Sequence, residues 1–170
     1  MPLDSFVFVA CVSGVFATIV LDLWQRVLFV ISGIPPTNWA LIGRWFAHLP
    51  RGRFIHRPIG ESAAVPGELA LGWVMHYLVG LIYGFVYVGL MTYGFDRLPS
   101  VSNGAAFGAA SVVIPWFILQ PGLGIGVMGR LAPNPLVPRL NALVSHIIYG
   151  IALCAGSWLA GILVWPMGHN

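Results

Sequence analysis

Long apolar runs interrupted by short polar breaks lay out this chain. Four runs, at about 5–31, 67–91, 104–120 and 137–165, can each cross a bilayer, since a membrane helix needs about 20 apolar residues. Within the runs the few polar positions recur at helical spacing. Gly14, Thr18, Asp22 and Arg26 stand four apart and share one stripe of the first helix. Glu68, Gly72, His76, Gly80 and Gly84 form a similar row on the second. Small residues in such stripes let helix backbones approach closely. Both rows are therefore expected to face protein rather than lipid, and they permit a homo-oligomer or a larger membrane complex.

The breaks predict the connections. Pro35 and Pro36 end the first span, because proline lacks an amide proton and disfavours helix before it. Residues 37–49 (TNWALIGRWFAHL) read as a short interfacial helix capped by Thr37 or Asn38, with Trp39, Trp45 and Phe46 at headgroup depth. Arg44 on that helix, with Arg51, Arg53 and Arg57 in the polar segment after it, is expected to contact anionic lipid. A plainer role for this segment is to set topology. Pro115 interrupts the third span and frees the carbonyl of Ser111. His76…Gly80 and His146…Gly150 share the pattern H-x-x-x-G, a faint repeat of two two-span halves.

Composition and charge narrow the class. Charged residues make up 8% of the chain, hydrophobic residues 58%, and the mean hydropathy is +0.87. A soluble domain carries about a quarter charged residues, so a soluble surface is excluded. The fold class predicted is an all-α integral membrane protein: four transmembrane helices in a bundle plus the interfacial helix. All eight basic residues are arginine. Arg44, Arg51, Arg53 and Arg57 lie between the first and second spans, Arg130 and Arg139 between the third and fourth, and Arg97 alone between the second and third. The positive-inside rule makes the first and third loops cytoplasmic and puts both termini outside. The first run is too long for a signal peptide and lacks a basic start, so it is expected to be retained. Cys11 and Cys154 lie in apolar runs and read as packing residues.

That orientation supplies a depth. His76 lies nine residues into its span, His146 nine into its own, and Asp22 nine back from the end of the first. At 1.5 Å per residue this is about 13 Å. A titratable side chain at such depth is costly unless it is paired or faces the bundle interior. Asp22, Glu68, His76 and His146 are therefore the candidate polar site, near the cytoplasmic side, with Gln25, Arg26, Gln120 and Tyr149 in support. One use is binding or passage of a ligand, an ion or a proton, since histidine titrates near neutral pH. Another is a divalent metal held by His76, His146 and Asp22, or haem clamped between the two histidines with Gly72, Gly80 and Gly150 making room. The plainest use is structural, with Asp22 paired to Arg26 at i+4, the histidines bonding helices together, and the chain an accessory or scaffold subunit. Glu68, at a helix start, also complements the helix dipole. These alternatives stay open.

Other signals are weaker. The segment 124–129 fits GxGxxG, but a membrane span precedes it instead of the strand a dinucleotide site needs. Its backbone and Arg130 can instead hold a phosphate headgroup. No arrangement suggests a nucleophilic triad, which leaves catalysis open, and no basic–aromatic pattern suggests nucleic acid.

Glu68 with Gly72, Trp73, His76 and Tyr77, then Pro115, Trp116, Gln120, Pro121 and Gly124, then His146 and Gly150, together carry a resemblance. The chain resembles a widespread bacterial family of small four-span integral membrane proteins catalogued only as a domain of unknown function. The resemblance covers nearly the whole chain. It implies a four-helix fold in a bacterial inner membrane and brings no activity with it.

Overall fold

The computed structural model describes residues 1–164, with side chains to Ile162. Trp165 and the tail 166–170, which the sequence reading placed at and beyond the end of the fourth span, lie outside the described residues. Among those described, every regular element is helical.

Helix α1 runs Leu3–Ser32 and stops at Gly33, which turns left-handed (φ 70°) and returns its N–H to Phe29 O at 2.9 Å. Glycine adopts that conformation without a Cβ penalty. Helix α2 is Trp39–His48, and Asn38 caps it by accepting from Ala40 N at 3.1 Å. Helix α3 runs Glu68–Gly89 and ends in a wide π turn, Leu90–Gly94. Helix α4 runs Val101–Ser111; a π turn at Pro115–Leu119 then leads into the short α5, Gln120–Gly122. Proline cannot donate to the helical ladder, so the turn opens around it. Helix α6 runs Leu136–Val164. Four segments are long and apolar enough to cross a membrane: Leu3–Ser32, Glu68–Gly94, Val101–Gly122 and Leu136–Ile162.

The third span starts three residues before the expected position. Ser100 and Asn103 form a reciprocal capping box there, each side chain accepting from the other's amide, so the polar break is the helix start itself.

Glycine decides how the helices meet. α1 packs along α3 and α6, and α6 also packs along α4. Gly14 of α1 sits so close to α3 that a Cβ there would be 2.7 Å from Gly80 O. Gly104 and Gly108 of α4 meet Gly150 of α6 backbone to backbone. Lipid tails are as apolar as leucine, so close packing of this kind is what drives helix association in a bilayer. The fourth side of the bundle, α3 against α4, is built differently. There Tyr83 and Tyr87 pack on Phe107, and Tyr87 OH donates to Asn103 Oδ1 at 2.7 Å. Tyr149 reaches from α6 across the centre and donates to Gly80 O at 2.9 Å.

One end of the bundle gathers the first and third loops, which hold most of the arginines. His56 N donates to Gly122 O at 3.1 Å and Ile59 N to Leu123 O at 2.9 Å. We call this the loop end. At the other end Tyr93 OH donates to Met1 O and Trp158 Nε1 to Pro99 O. α2 lies at the loop end but packs inward more than an interfacial helix should. Gly43 and Gly72 bring α2 and α3 into backbone contact. Trp45, expected at headgroup depth, is instead buried, with its ring over Gly122 and its Nε1 donating to Phe54 O at 2.9 Å.

Candidate functional site

The small-residue stripe of α1 and the glycine row of α3 face each other, and this brings Asp22 to His76. Asp22 Oδ1 and His76 Nε2 are 2.9 Å apart, and Tyr77 OH donates to Asp22 Oδ2 at 3.3 Å. The side chains of His76 and Asp22 are 8% and 16% exposed, so this contact replaces most of the water each would hold. Trp39, the first residue of α2, stacks on the His76 ring with centroids 3.8 Å apart and planes at 27°. Trp73, one turn earlier on α3, meets the same ring edge-on at 5.8 Å. The imidazole is thus fixed by a carboxylate at one nitrogen and by indoles on its face and edge.

A cleft of about 140 Å³ adjoins the pair, lined by Asp22, Gln25, Arg26, Pro36, Thr37, Trp39 and Trp73. Gln25 builds one wall: its Oε1 accepts from Thr37 N at 2.7 Å and holds the α1–α2 linker against α1. Arg26 is exposed at the rim, and the Asp22–Arg26 pair expected from i+4 spacing does not form. Asp22 instead meets His76 across the close, glycine-lined approach of α1 and α3.

The other expected residues go elsewhere. Glu68 is bound by Arg44 through two hydrogen bonds, Nε to Oε2 at 2.8 Å and Nη2 to Oε1 at 2.7 Å. Arg44 Nη1 also donates to Ser62 O at 2.7 Å. Arg44, expected at lipid phosphate, is therefore turned into the protein, and Glu68 holds its guanidinium above the usual value by hydrogen bonding first and charge second. Arg51, Arg53 and Arg57 remain exposed at the loop end. His146 faces Ser111 Oγ of α4 at 2.8 Å through Nδ1, with the Tyr83 ring edge-on at 6.3 Å. Gln120 Nε2 donates to Pro138 O at 3.4 Å, while its Oε1 is buried without a partner.

The histidines of α3 and α6 thus belong to separate sets of contacts. Among the described residues no group of three or more His, Cys, Asp or Glu comes together to hold a metal ion. The room a haem would need beside Gly72, Gly80 and Gly150 is filled by Trp39 O, by the Thr18 side chain and by the backbone of Gly104 and Gly108. The residues present do not fit that group.

Sequence reasoning missed the aromatic half of the site. Trp73 and His76 are three apart on one helix and so neighbours, a signal that was available. Trp39 has no such signal, because only the packing of α2 on α3 brings it to His76.

The repeated H-x-x-x-G has a geometric counterpart. In each half the histidine bonds a polar side chain of the span before it, Asp22 for His76 and Ser111 for His146. In each half the glycine one turn later packs on small residues of that same span, Gly80 on Gly14 and Thr18, Gly150 on Gly104 and Gly108.

The model of a family described as Protein of unknown function (DUF2938) matches residues 11–160. No curated protein and no solved structure matches the chain.

Proposed function

The chain belongs to the family described as Protein of unknown function (DUF2938), and from that premise, which carries no chemistry, we propose that this multi-pass membrane protein binds a small polar ligand or ion at its loop end, with proton exchange at the Asp22–His76 pair. The observation that carries the reading is the 2.9 Å contact between a carboxylate and an imidazole on facing spans, stacked under Trp39 and open to a polar cleft. Ionisable residues within spans are costly and mark ligand or proton sites. Histidine is the side chain whose charge changes near neutral pH. A ligand entering beside Gln25 and Trp73 meets Asp22 and, through it, His76, so its charge and that of the pair are coupled.

Binding is favoured over passage across the bilayer. Beyond the pair, Thr18 OH donates to Gly14 O at 2.8 Å and Tyr149 OH to Gly80 O, within close glycine contacts between the helices. The arginine distribution supports a cytoplasmic loop end with both termini outside, and the family resemblance supports a bacterial inner membrane. Exposed Arg51, Arg53 and Arg57 are suited to anionic headgroups there.

Nitrogen-15 imidazole spectra of the chain in lipid nanodiscs test the central reading. The His76 signal, identified by its loss in His76→Phe, should carry the signature of a hydrogen bond to Asp22 and shift in Asp22→Asn. A His76 signal indifferent to Asp22→Asn rejects proton exchange at this pair.

A further inference from the structure

A second pair of histidines sits at the loop end, apart from the Asp22 cleft. His48 closes α2, and His56 follows in the segment leading to α3, anchored by its N–H on Gly122 O. Their rings face each other with centroids 5.1 Å apart and planes tilted by 56°. His48 is only 6% exposed, yet neither of its ring nitrogens has a hydrogen-bond partner, and His56 Nε2 is buried in the same condition. Buried polar atoms are nearly always partnered, so three unmet nitrogens on two facing rings ask for an occupant.

The chemistry of the rings says which kind. His56 Nδ1 lies 3.1 Å from Ser62 Oγ. When that nitrogen donates its proton to the hydroxyl, the lone pair of the ring lies on Nε2, the buried and unmet atom. A hydrogen bond at the far nitrogen orients a metal-binding imidazole in this way. Burial first, then His56, Arg51 and Arg53, push His48 below the usual histidine value against a smaller opposing pull from the Ala63 backbone, which favours the neutral ring. Imidazole nitrogens bind zinc-like ions at about 2.0–2.1 Å, and two rings at a tetrahedral angle then have centroids about 5.2 Å apart. The observed spacing matches.

We infer that His48 and His56 form a site for a first-row transition-metal ion, two imidazoles binding it and water completing the shell. Arg51 and Arg53 stand exposed nearby and oppose a cation. Copper(II) pulls hardest on imidazole among the first-row ions and serves as the probe.

Copper(II) titration of the tag-free full chain in detergent, followed by electron paramagnetic resonance, tests this. The background carries His169→Gln so that the tail histidine does not compete. One equivalent of copper should bind with hyperfine lines from two imidazole nitrogens. His48→Phe and His56→Gln should each weaken binding at least tenfold, and His76→Phe should leave it unchanged. His56 lies in a loop, so its variant separates loss of the ligand from loss of the fold. Absence of the two-nitrogen signal in the parent chain, or its survival in His56→Gln, overturns the site and leaves water as the occupant. Loss of the signal in His76→Phe moves the metal to the Asp22 cleft and likewise overturns it.

Discussion

Arg44 and Glu68 meet fork to fork where α2 crosses the start of α3, with both hydrogen bonds under 3 Å (2.8 and 2.7 Å). The pair also gathers the intervening loop. Ser62 O accepts from the guanidinium, and Glu68 Oε2 accepts from Val65 N at 2.8 Å. Removing one partner leaves the other charge poorly solvated, a loss of about 3–5 kcal/mol when a pair is buried. Glu68→Gln and Arg44→Ala should each sharply lower the unfolding midpoint in denaturing detergent. Arg44→Ala with Glu68→Ala should cost clearly less than the sum of the two single changes. Additive losses would show that the pair contributes no coupling.

Two glycines of α6 separate packing from propensity. Gly150 lies against Gly104 and Gly108, whereas a Cβ on Gly161 would meet nothing within 4 Å. Gly150→Ala should destabilise by about 1–3 kcal/mol through overpacking. Gly161→Ala should be neutral or slightly stabilising, because alanine is the better helix former. Thermal unfolding in nanodiscs distinguishes them, and equal effects would place the α4–α6 contact elsewhere.

Trp39 reports on His76. With the rings stacked at 3.8 Å, the imidazole quenches indole emission by contact. A variant retaining only Trp39 should therefore brighten when His76→Ala is added. Emission indifferent to His76 would mean that α2 does not rest on α3 in solution.

Ser13 and Ser157 join α1 to α6 through hydroxyls 2.9 Å apart. Each oxygen also lies within hydrogen-bond reach of its own helix, at Val9 O and Leu153 O. The alanine variants therefore leave no unmet donor. Interhelical hydrogen bonds in membranes average about 0.6 kcal/mol, and either alanine change should cost about that much in the same unfolding assay. A loss of several times that figure would give these serines a larger role than pairing.

Much of this was legible in the chain. The spans followed from hydropathy, and two stripes at i, i+4 spacing turned Asp22 and His76 toward protein rather than lipid. Counting residues from a membrane face gives depth, however, and says nothing of azimuth. His146 therefore read as a neighbour of Asp22 although it bonds Ser111 on the far side of the bundle. Arg44 read as a lipid contact because its partner Glu68 lies 24 positions away, across a loop whose path no local pattern encodes. Trp45 read as interfacial because amphipathic spacing cannot tell a headgroup layer from a protein layer.

The matched contacts make the two halves one device used twice. Two helix pairs that run in the same direction share one arrangement of histidine, polar partner and glycine. In one copy the partner of the histidine is a carboxylate, in the other a hydroxyl. The first hairpin thus gives its histidine an ionisable partner and the second a neutral one, so only one of the two matched places can carry a charge pair.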